Sequence, residues 1–432
     1  VALPTVLPSQ LAYIMHTSGS TGTPKGIAAT HQGVVDLALD PCWEITAQDR
    51  ILLQAPHAFD GSTYELWAPL LAGATIVTAP PGHITDATTL HTLTRQHHLT
   101  RISLTAGLFR VIAENDPAAF NTLKEITTGG DIIPPEAVHA VLTACPHTTV
   151  RTTYGPTEIT MCATHTPWHH HDTLPPTTPL GQPLTGTHLT ILDNHLQPTP
   201  PGVTGELYIA GTGLARGYTH NPALTATHFT ANPHGTPGER IYRTGDLARW
   251  EHNGTLTFHG RTDHQIKIRG YRIEPAEIET ALTNQPGVTQ ATTTIHTTPN
   301  GDKQLTAYYT GTTTPTHLRT TLTTTLPDYL IPTHLIPLTT WPLTTNGKLD
   351  HTQLPTPQPT TTGRPPRTPH EQTLATLFTE TLNLTTITID DNFFDLGGHS
   401  LLAIRLTNRI NTTLNTHTTI HTLFQHPTIA DL

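Results

Sequence analysis

Charge is scarce in this chain. Only 12% of its 432 residues are Asp, Glu, Lys or Arg, against about 25% in ordinary soluble domains. The acids outnumber the bases, 32 to 22, for a formal net charge of −10. Such a chain lacks the basic face that nonspecific nucleic-acid or anionic-membrane binding needs, so neither partner is expected. Cysteine is scarcer still: Cys42, Cys145 and Cys162 lie far apart, which excludes a disulfide framework or a zinc knuckle. No run reaches the ~18 apolar residues of a transmembrane helix. The opening VALPTVLPSQLAYIMHTSG has no basic n-region and no cleavage-site pattern, unlike a signal peptide. The cytoplasm is the expected compartment. Thr, Pro and His take the place of the missing charges, evenly along the chain. With 30 histidines present, Trp168-His169-His170-His171-Asp172 is expected from composition alone and is not read as a metal site.

The length suits several domains of roughly 100–200 residues each. From Leu11 to about Tyr154, short apolar strands (LAYIM, RILLQA, ATIVTAP, RISLT, LKEITT) alternate with helical stretches (ELWAPLLAG, DATTLHTLTRQHHL, AGLFRVIAEND, PPEAVHAVLTAC). Asp86 and the pair Pro134-Pro135 mark helix starts. The alternation predicts a layered α/β domain with largely parallel, buried strands. From about Leu180 to Gly260 the period falls to 2 with Gly-rich turns, as in a small β subdomain. Strands and helices then mix in an α+β unit. The stretch PTPQPTTTGRPPRTP predicts an extended linker, and HEQTLATLFTETLNL, SLLAIRLTNRINTTL and TIHTLFQHP predict a helical bundle. The expected domains are therefore 1–260, 261–354, a linker at 355–369, and 370–432.

Directly after LAYIM stands Thr17-Ser18-Gly19-Ser20-Thr21-Gly22-Thr23-Pro24-Lys25-Gly26. Glycines permit a tight backbone, hydroxyls and amides can hold phosphate oxygens, and a lysine adds charge. A P-loop of the kinase or ATPase kind needs Lys followed by Ser or Thr; here Gly26 follows Lys25. It is a phosphate loop of another kind. Further motifs follow in order: Phe59-Asp60-Gly61-Ser62, Tyr154-Gly155-Pro156-Thr157-Glu158, GELYIAGTGLARGY, Tyr242-Arg243-Thr244-Gly245-Asp246-Leu247, GRTDHQIKIRGYRIEPAEIE, LPDYLIP, Asn346-Gly347-Lys348-Leu349-Asp350 and, in the final bundle, Leu396-Gly397-Gly398-His399-Ser400-Leu401.

This series resembles the adenylate-forming superfamily, and most closely a nonribosomal peptide synthetase adenylation domain followed by a peptidyl carrier domain. The resemblance implies a large domain that begins before Leu11, so an N-terminally incomplete piece is expected. It also implies roles. Thr17, Ser18, Gly19, Ser20, Thr21 and Gly22, with Tyr154, Gly155 and Thr157, would bind ATP, and Lys25 would clamp pyrophosphate. Glu158 would hold Mg²⁺, and Tyr154 would lie on the adenine. Asp246 and Arg261 would take the ribose, Lys348 would bridge the carboxylate and the α-phosphate, and Asp263 would be the hinge. Lys267 and Arg269 read as surface charges. Ser400, at a predicted helix start, would carry 4′-phosphopantetheine.

Asp60 implies an amino-acid substrate, since its charge would meet an α-ammonium group. Aligning the motifs lines the pocket with Asp60, Gly61, Tyr64, Ser103, Ile126, Thr128, Thr153, Met161 and Cys162. None of these but Asp60 is charged, so a charged substrate side chain would lose its hydration without a partner. A large neutral side chain, aromatic ones included, is the expectation. The implied activity is ATP-dependent formation of aminoacyl-AMP, then transfer to the Ser400-bound thiol. Partners would be a phosphopantetheinyl transferase, condensation and other modules, and an MbtH-like helper. Two alternatives stand beside it: an acyl-CoA ligase of the same fold, and a decayed module acting only as a carrier or docking protein.

Overall fold

The computed structural model describes residues 5–19, 23–79, 84, 86–263, 265–268, 271–297, 303–343, 349–357, 363–398 and 400–432. The chain divides into two compact units, residues 1–17 with 24–272, and residues 18–23 with 273–432.

The first unit opens with an antiparallel hairpin, β1 (Leu11–Thr17) on β2 (Lys25–Thr30). LAYIM was expected to be a buried strand. It forms a two-stranded sheet with β2 and leaves Ile14 47% exposed. Helix α1 (His31–Ala38) is capped by Thr30, whose hydroxyl accepts from the Gly33 amide. The main sheet follows: β3 (Arg50–Leu53), α2 (Gly61–Ala72), β4 (Thr75–Thr78), α3 (Ala87–His97), β5 (Arg101–Thr105), α4 (Ala106–Asn115), β6 (Glu125–Gly129), α5 (Pro135–Ala144), β7 (Thr149–Tyr154), β8 (Thr164–Trp168) and β9 (Gln182–Pro183). The strand order is β4-β3-β5-β6-β7-β8-β9. The first five are parallel to one another, and β8 and β9 are antiparallel. Parallel strands linked by helices need cover on both faces. Helices α3, α4 and α5 seal one face through Leu90, Phe109, Ile112, Val138 and Val141, packed on Leu104, Ile126 and Val150. Helices α1 and α2 form a separate apolar cluster with Trp43, Tyr64, Ala68 and Cys162. The Asp86 cap and the proline pair open α3 and α5 as expected.

A second, antiparallel sheet completes the unit. It contains β10 (Thr187–Leu192), β11 (Gly205–Gly211), β12 (Phe229–Ala231), β13 (Arg240–Trp250) and β14 (Leu256–Arg261), with the short α6 (Pro222–His228) before β12. Its core joins Leu207, Ile209, Phe229, Tyr242 and Leu256. The short strands β15 (Ile266–Ile268) and β16 (Tyr271–Ile273) follow.

The second unit begins with α7 (Pro275–Thr283), β17 (Val288–Thr297), β18 (Lys303–Gly311), α8 (Pro315–Thr325) and β19 (His334–Pro337). β18 pairs antiparallel with β17 and parallel with β19. A bundle of α9 (Pro369–Leu382), α10 (Ser400–Leu414) and α11 (Ile420–Gln425) closes it around Phe378, Phe393, Leu406 and Leu423. The division after Arg272 differs from the expected 260/261 boundary. Arg261 is still a ladder residue, paired with Asp246 across β13 and β14. The linker also ends earlier than expected: the Arg364 amide donates to Asp390 at 2.8 Å, so chain from 363 onward already belongs to the bundle.

Candidate active site

The sheet's pleat decides which side chains can share a site. Ser103 is in register with Thr127, and Thr127 with Arg151. Gly129 is in register with Thr153. Alternate residues of a strand face opposite sides, so Ser103, Thr127, Gly129 and Thr153 share one face. Ile126 lies on the other, inside the large apolar cluster under α4 and α5, and Thr128, two residues on, goes with it. The expected pocket residues Ile126 and Thr128 thus stand on the core side of β6, and Thr127 and Gly129 are the β6 residues that share the Ser103 and Thr153 face. Gly129 itself admits no Cβ, which would fall 2.4 Å from Thr153 Oγ1.

Asp60 immediately precedes α2 but does not cap it: its own backbone is helical and no capping bond forms. Its carboxylate instead accepts a 2.5 Å hydrogen bond from Thr157 Oγ1. Burial raises its pKa, and the Glu158 charge adds to this, against the lowering effects of the Thr157 bond and Lys267. Gly61 opens α2, and Tyr64 one turn on is buried against Trp43 at 4.8 Å between ring centres.

The segment from Tyr154 to Ala163 is the centre of the site. Gly155 is required there, because a Cβ would meet Met161 O at 2.5 Å and Ala163 N at 2.7 Å. Thr160 and Met161 both hold positive φ, at 57° and 76°, a strained state for such residues and one that clusters at functional sites. Cys162 is buried, its thiol pushed up to about 12 by burial. Glu158 is wholly buried. It accepts from Arg272 Nη1 at 2.9 and 3.1 Å and from Tyr218 OH at 2.7 Å, with Lys25 Nζ 3.4 Å away. Burial would raise its pKa, but Arg272 and Lys25 outweigh that and hold it far below the usual carboxylate range. Lys25 Nζ also stands 4.8 Å over the Tyr218 ring.

A second carboxylate cluster adjoins Tyr154. Its hydroxyl donates to Asp246 at 2.5 Å, and burial, then the Asp246 charge, keeps that hydroxyl protonated. Arg261 Nη1 donates to the other Asp246 oxygen. The same guanidinium is fixed by Asp263 at 2.7 and 2.8 Å and by Gln265 at 2.9 Å. Lys267 is not a plain surface charge: its Nζ lies 5.5 Å from the Tyr154 ring centre. In the phosphate loop Ser18 is buried and Gly19 is described. Thr17 Oγ1 is buried without a hydrogen-bond partner among the described residues. Ser20, Thr21, Gly22 and Lys348 lie outside the described residues, as does Arg269. Ser400 is the first residue of α10. Among the described residues no cluster of three or more His, Cys, Asp or Glu could hold a metal by itself, and no helix is long and apolar enough to cross a membrane.

The structure thus gathers Lys25, Asp60, Tyr154, Thr157, Glu158, Asp246 and Arg261 from widely separated motifs. It adds Tyr218 and Arg272, which the sequence reading passed over. Both sit inside quoted motifs (GELYIAGTGLARGY and GYRIEPAEIE), so their motif membership was the available signal.

A layered α/β domain with a β subdomain, buried carboxylates facing cations, and a trailing helical bundle define a nucleotide-dependent adenylating enzyme joined to a carrier. The family models agree. Residues 2–219 match the model described as AMP-binding enzyme, and residues 372–432 match the phosphopantetheine attachment site. The chain belongs to the AMP-binding enzyme family, as an adenylation domain followed by a carrier domain. It is 42% identical over 427 residues to the dimodular nonribosomal peptide synthase of Bacillus subtilis (strain 168), covering 98% of this chain and 18% of that one. It is 38% identical over 431 residues to tyrocidine synthase 3 of Brevibacillus parabrevis, covering 98% and 7%. The chain thus spans less than a fifth of the length of these curated relatives. Among solved structures it is similar to holo-PA1221, an NRPS protein containing adenylation and PCP domains bound to a vinylsulfonamide inhibitor. That match has TM-score 0.86 and 32% identity, covering 100% of this chain and 73% of that one. It is also similar to NpsA-ThdA, an artificially fused adenylation-PCP di-domain from Klebsiella oxytoca, with TM-score 0.72 and 26% identity over 99% and 72%.

Proposed function

We propose that this chain activates an amino acid as aminoacyl-AMP with release of pyrophosphate, and passes the aminoacyl group to a phosphopantetheine thiol on Ser400. The observation that carries the reading is Asp60. It is a carboxylate at a helix start that declines to cap the helix and is held by Thr157, one residue from the buried Glu158. An acid placed this way is suited to an α-ammonium group, which an acyl-CoA ligase substrate does not offer. The relatives named as peptide synthases support the same choice, and the carrier domain supplies an acceptor.

The residues fit the groups this chemistry needs. Glu158 is a buried carboxylate, the hard oxygen ligand that Mg²⁺ takes beside ATP phosphates; the ion would displace the cations now on it and neutralise phosphate charge there. The Thr17 hydroxyl is a buried, unused donor for a phosphate oxygen. Asp246, oriented by Arg261 and Tyr154, would accept from ribose hydroxyls. The substrate carboxylate oxygen would attack the α-phosphorus as pyrophosphate leaves, with Lys25 and Lys348 meeting the developing charge. The carrier thiolate would then attack the mixed anhydride carbonyl, and AMP would leave. Asp263 serves as hinge. In the pocket, Gly61, Tyr64, Ser103, Thr127, Gly129, Thr153, Met161 and Cys162 would meet a large neutral side chain. Condensation and other modules, a phosphopantetheinyl transferase and an MbtH-like protein are the partners this reading implies.

The test incubates the full protein with a phosphopantetheinyl transferase, coenzyme A, Mg-ATP and mixed amino acids. The mass of the Ser400 peptide is then taken. A phosphopantetheine adduct bearing one amino acid is expected and names the substrate. An adduct without cargo would leave a carrier beside an inert activating site, and no adduct would end the carrier reading.

A further inference from the structure

In the second unit the loop leading to Ser400 does not stand free. Gly397 O accepts a 3.0 Å hydrogen bond from Gln304 Nε2, on β18. Gln304 is only 7% exposed, and both ends of its amide are used: His334 Nε2, on β19, lies 3.1 Å from its Oε1. An amide oxygen only accepts, so His334 carries its proton on Nε2 and donates, which fixes the amide with its N–H toward Gly397. Beside it, Arg319 on α8 donates to Pro332 O at 3.1 Å and Thr333 O at 2.7 Å. Those bonds hold the guanidinium with Nε 3.1 Å from Asp395 Oδ1. Gly397 suits the fit twice over: its φ is +102°, and a Cβ would stand 2.8 Å from Gln304 Nε2.

A buried Gln oriented by a His, next to an Arg pinned by two carbonyls, is a preorganised receptor for a backbone carbonyl and an adjacent acid. We propose that Gln304, His334 and Arg319 form a docking clamp for carrier loop 395–397, holding the residues just before Ser400 against the α+β subdomain until a modifying enzyme displaces them. The clamp makes attachment of phosphopantetheine compete with intramolecular docking. This rests on the reading of Ser400 as the attachment residue.

The test uses the full chain with Gln304→Glu, which places an acceptor against the Gly397 carbonyl at nearly unchanged volume, and separately Asp395→Asn, which cancels the ion pair. The initial rate of phosphopantetheine transfer to Ser400 is followed by intact mass. Hydrogen exchange of amides 393–398 is measured in parallel without the transferase. Loss of one such contact should raise the transfer rate about three- to tenfold and speed exchange in the loop. Wild-type rates and wild-type exchange in both variants would overturn the clamp. A wild-type chain that takes no adduct refutes the Ser400 reading instead, and the exchange comparison still decides the clamp.

Discussion

Glu125→Ala should be among the most damaging single substitutions in the chain, although Glu125 touches no proposed ligand. Glu125 sits on β6, 4% exposed, between Arg101 on β5 (2%) and Arg151 on β7 (4%). Arg101 Nη1 lies 2.9 Å from one carboxylate oxygen, and Arg151 Nη2 lies 2.8 Å from the other. Arg101 also reaches Glu44 O at 3.0 Å and Asp49 at 3.5 Å, and Arg151 Nη1 meets His165 Nδ1 at 2.9 Å. Removing the central carboxylate leaves two desolvated guanidiniums facing each other across one strand. Breaking a buried pair this way costs roughly 3–5 kcal/mol, a third or more of the ~5–15 kcal/mol that stabilises a typical domain. Replacing Glu125 and Arg151 together by apolar residues of similar volume, with Arg101 left on Asp49 and Glu44 O, should cost less than Glu125→Ala alone, because one of the two stranded guanidiniums goes with the carboxylate. Urea unfolding followed by tryptophan fluorescence reads this locally, since Trp43 is buried with the Arg151 guanidinium 5.7 Å from its ring centre. A loss below about 1 kcal/mol for Glu125→Ala would refute the reasoning, because an isolated surface carboxylate would cost no more.

Glu65 gives a pH prediction. Burial pushes its carboxyl up to about 7, against the lowering effect of the Ala55 and Gln54 amides it accepts from at 2.7 and 2.8 Å. A raised folded pKa means stability that is full below about pH 4.5 and lost as pH rises through about 7, by roughly 3 kcal/mol in all; Glu65→Gln should flatten urea midpoints measured from pH 5 to pH 8. Asp246→Asn removes the charge that Tyr154 and Arg261 converge on. It should weaken ATP binding on the order of ten- to a hundredfold by calorimetry, whereas unchanged affinity would move the ribose elsewhere. Thr368→Ala breaks the capping box that Thr368 and Glu371 form at α9. It should cost about 1 kcal/mol, visible as faster amide exchange over the first turn of that helix.

What was legible in the sequence was what a local pattern can carry. Motifs such as YGPTE and TGD keep their chemistry within a few residues, so Glu158, Tyr154 and Asp246 could be named before any contact was known. The face that Ile126 and Thr128 take was not legible: β6 is buried on both faces, so the alternation that would tell one face from the other is absent from KEITTGG. LAYIM misled in the opposite way, being apolar yet half exposed. Helix α1 went unseen because Gly33 and paired valines weaken its propensity. Arg272 and Tyr218 became site residues only through contacts with Glu158, and no spacing within one motif announces an ion pair made over more than a hundred residues. The burial of Arg101, Glu125 and Arg151 was equally invisible, since each is a single charge in its own strand.

The composition itself then acquires a structural meaning. A chain with few charges can make few surface pairs: Arg110 and Glu114 pair at i,i+4 within α4 at 3.9 Å, and Arg367 reaches from just before the α9 cap to Glu371 at 2.7 Å. Threonine does the work at the helix ends: Thr30, Thr105, Thr314, Thr368 and Thr419 each accept from a first-turn amide as N-caps. Along α8, Thr320 and Thr321 donate back to the carbonyls of Thr316 and His317 at 3.1 and 2.9 Å. That lets a poor helix former satisfy its hydroxyl without water. Surface helices therefore depend on caps and apolar packing, which salt does not screen. Several of the few charges are placed where they are buried or half-buried and paired: three in the sheet triad, and Lys25, Glu158, Asp246, Arg261 and Arg272 around the site. A bias spread evenly along the sequence thus leaves the helices weakly dependent on ionic strength, while the site remains strongly dependent on it through ligand charge.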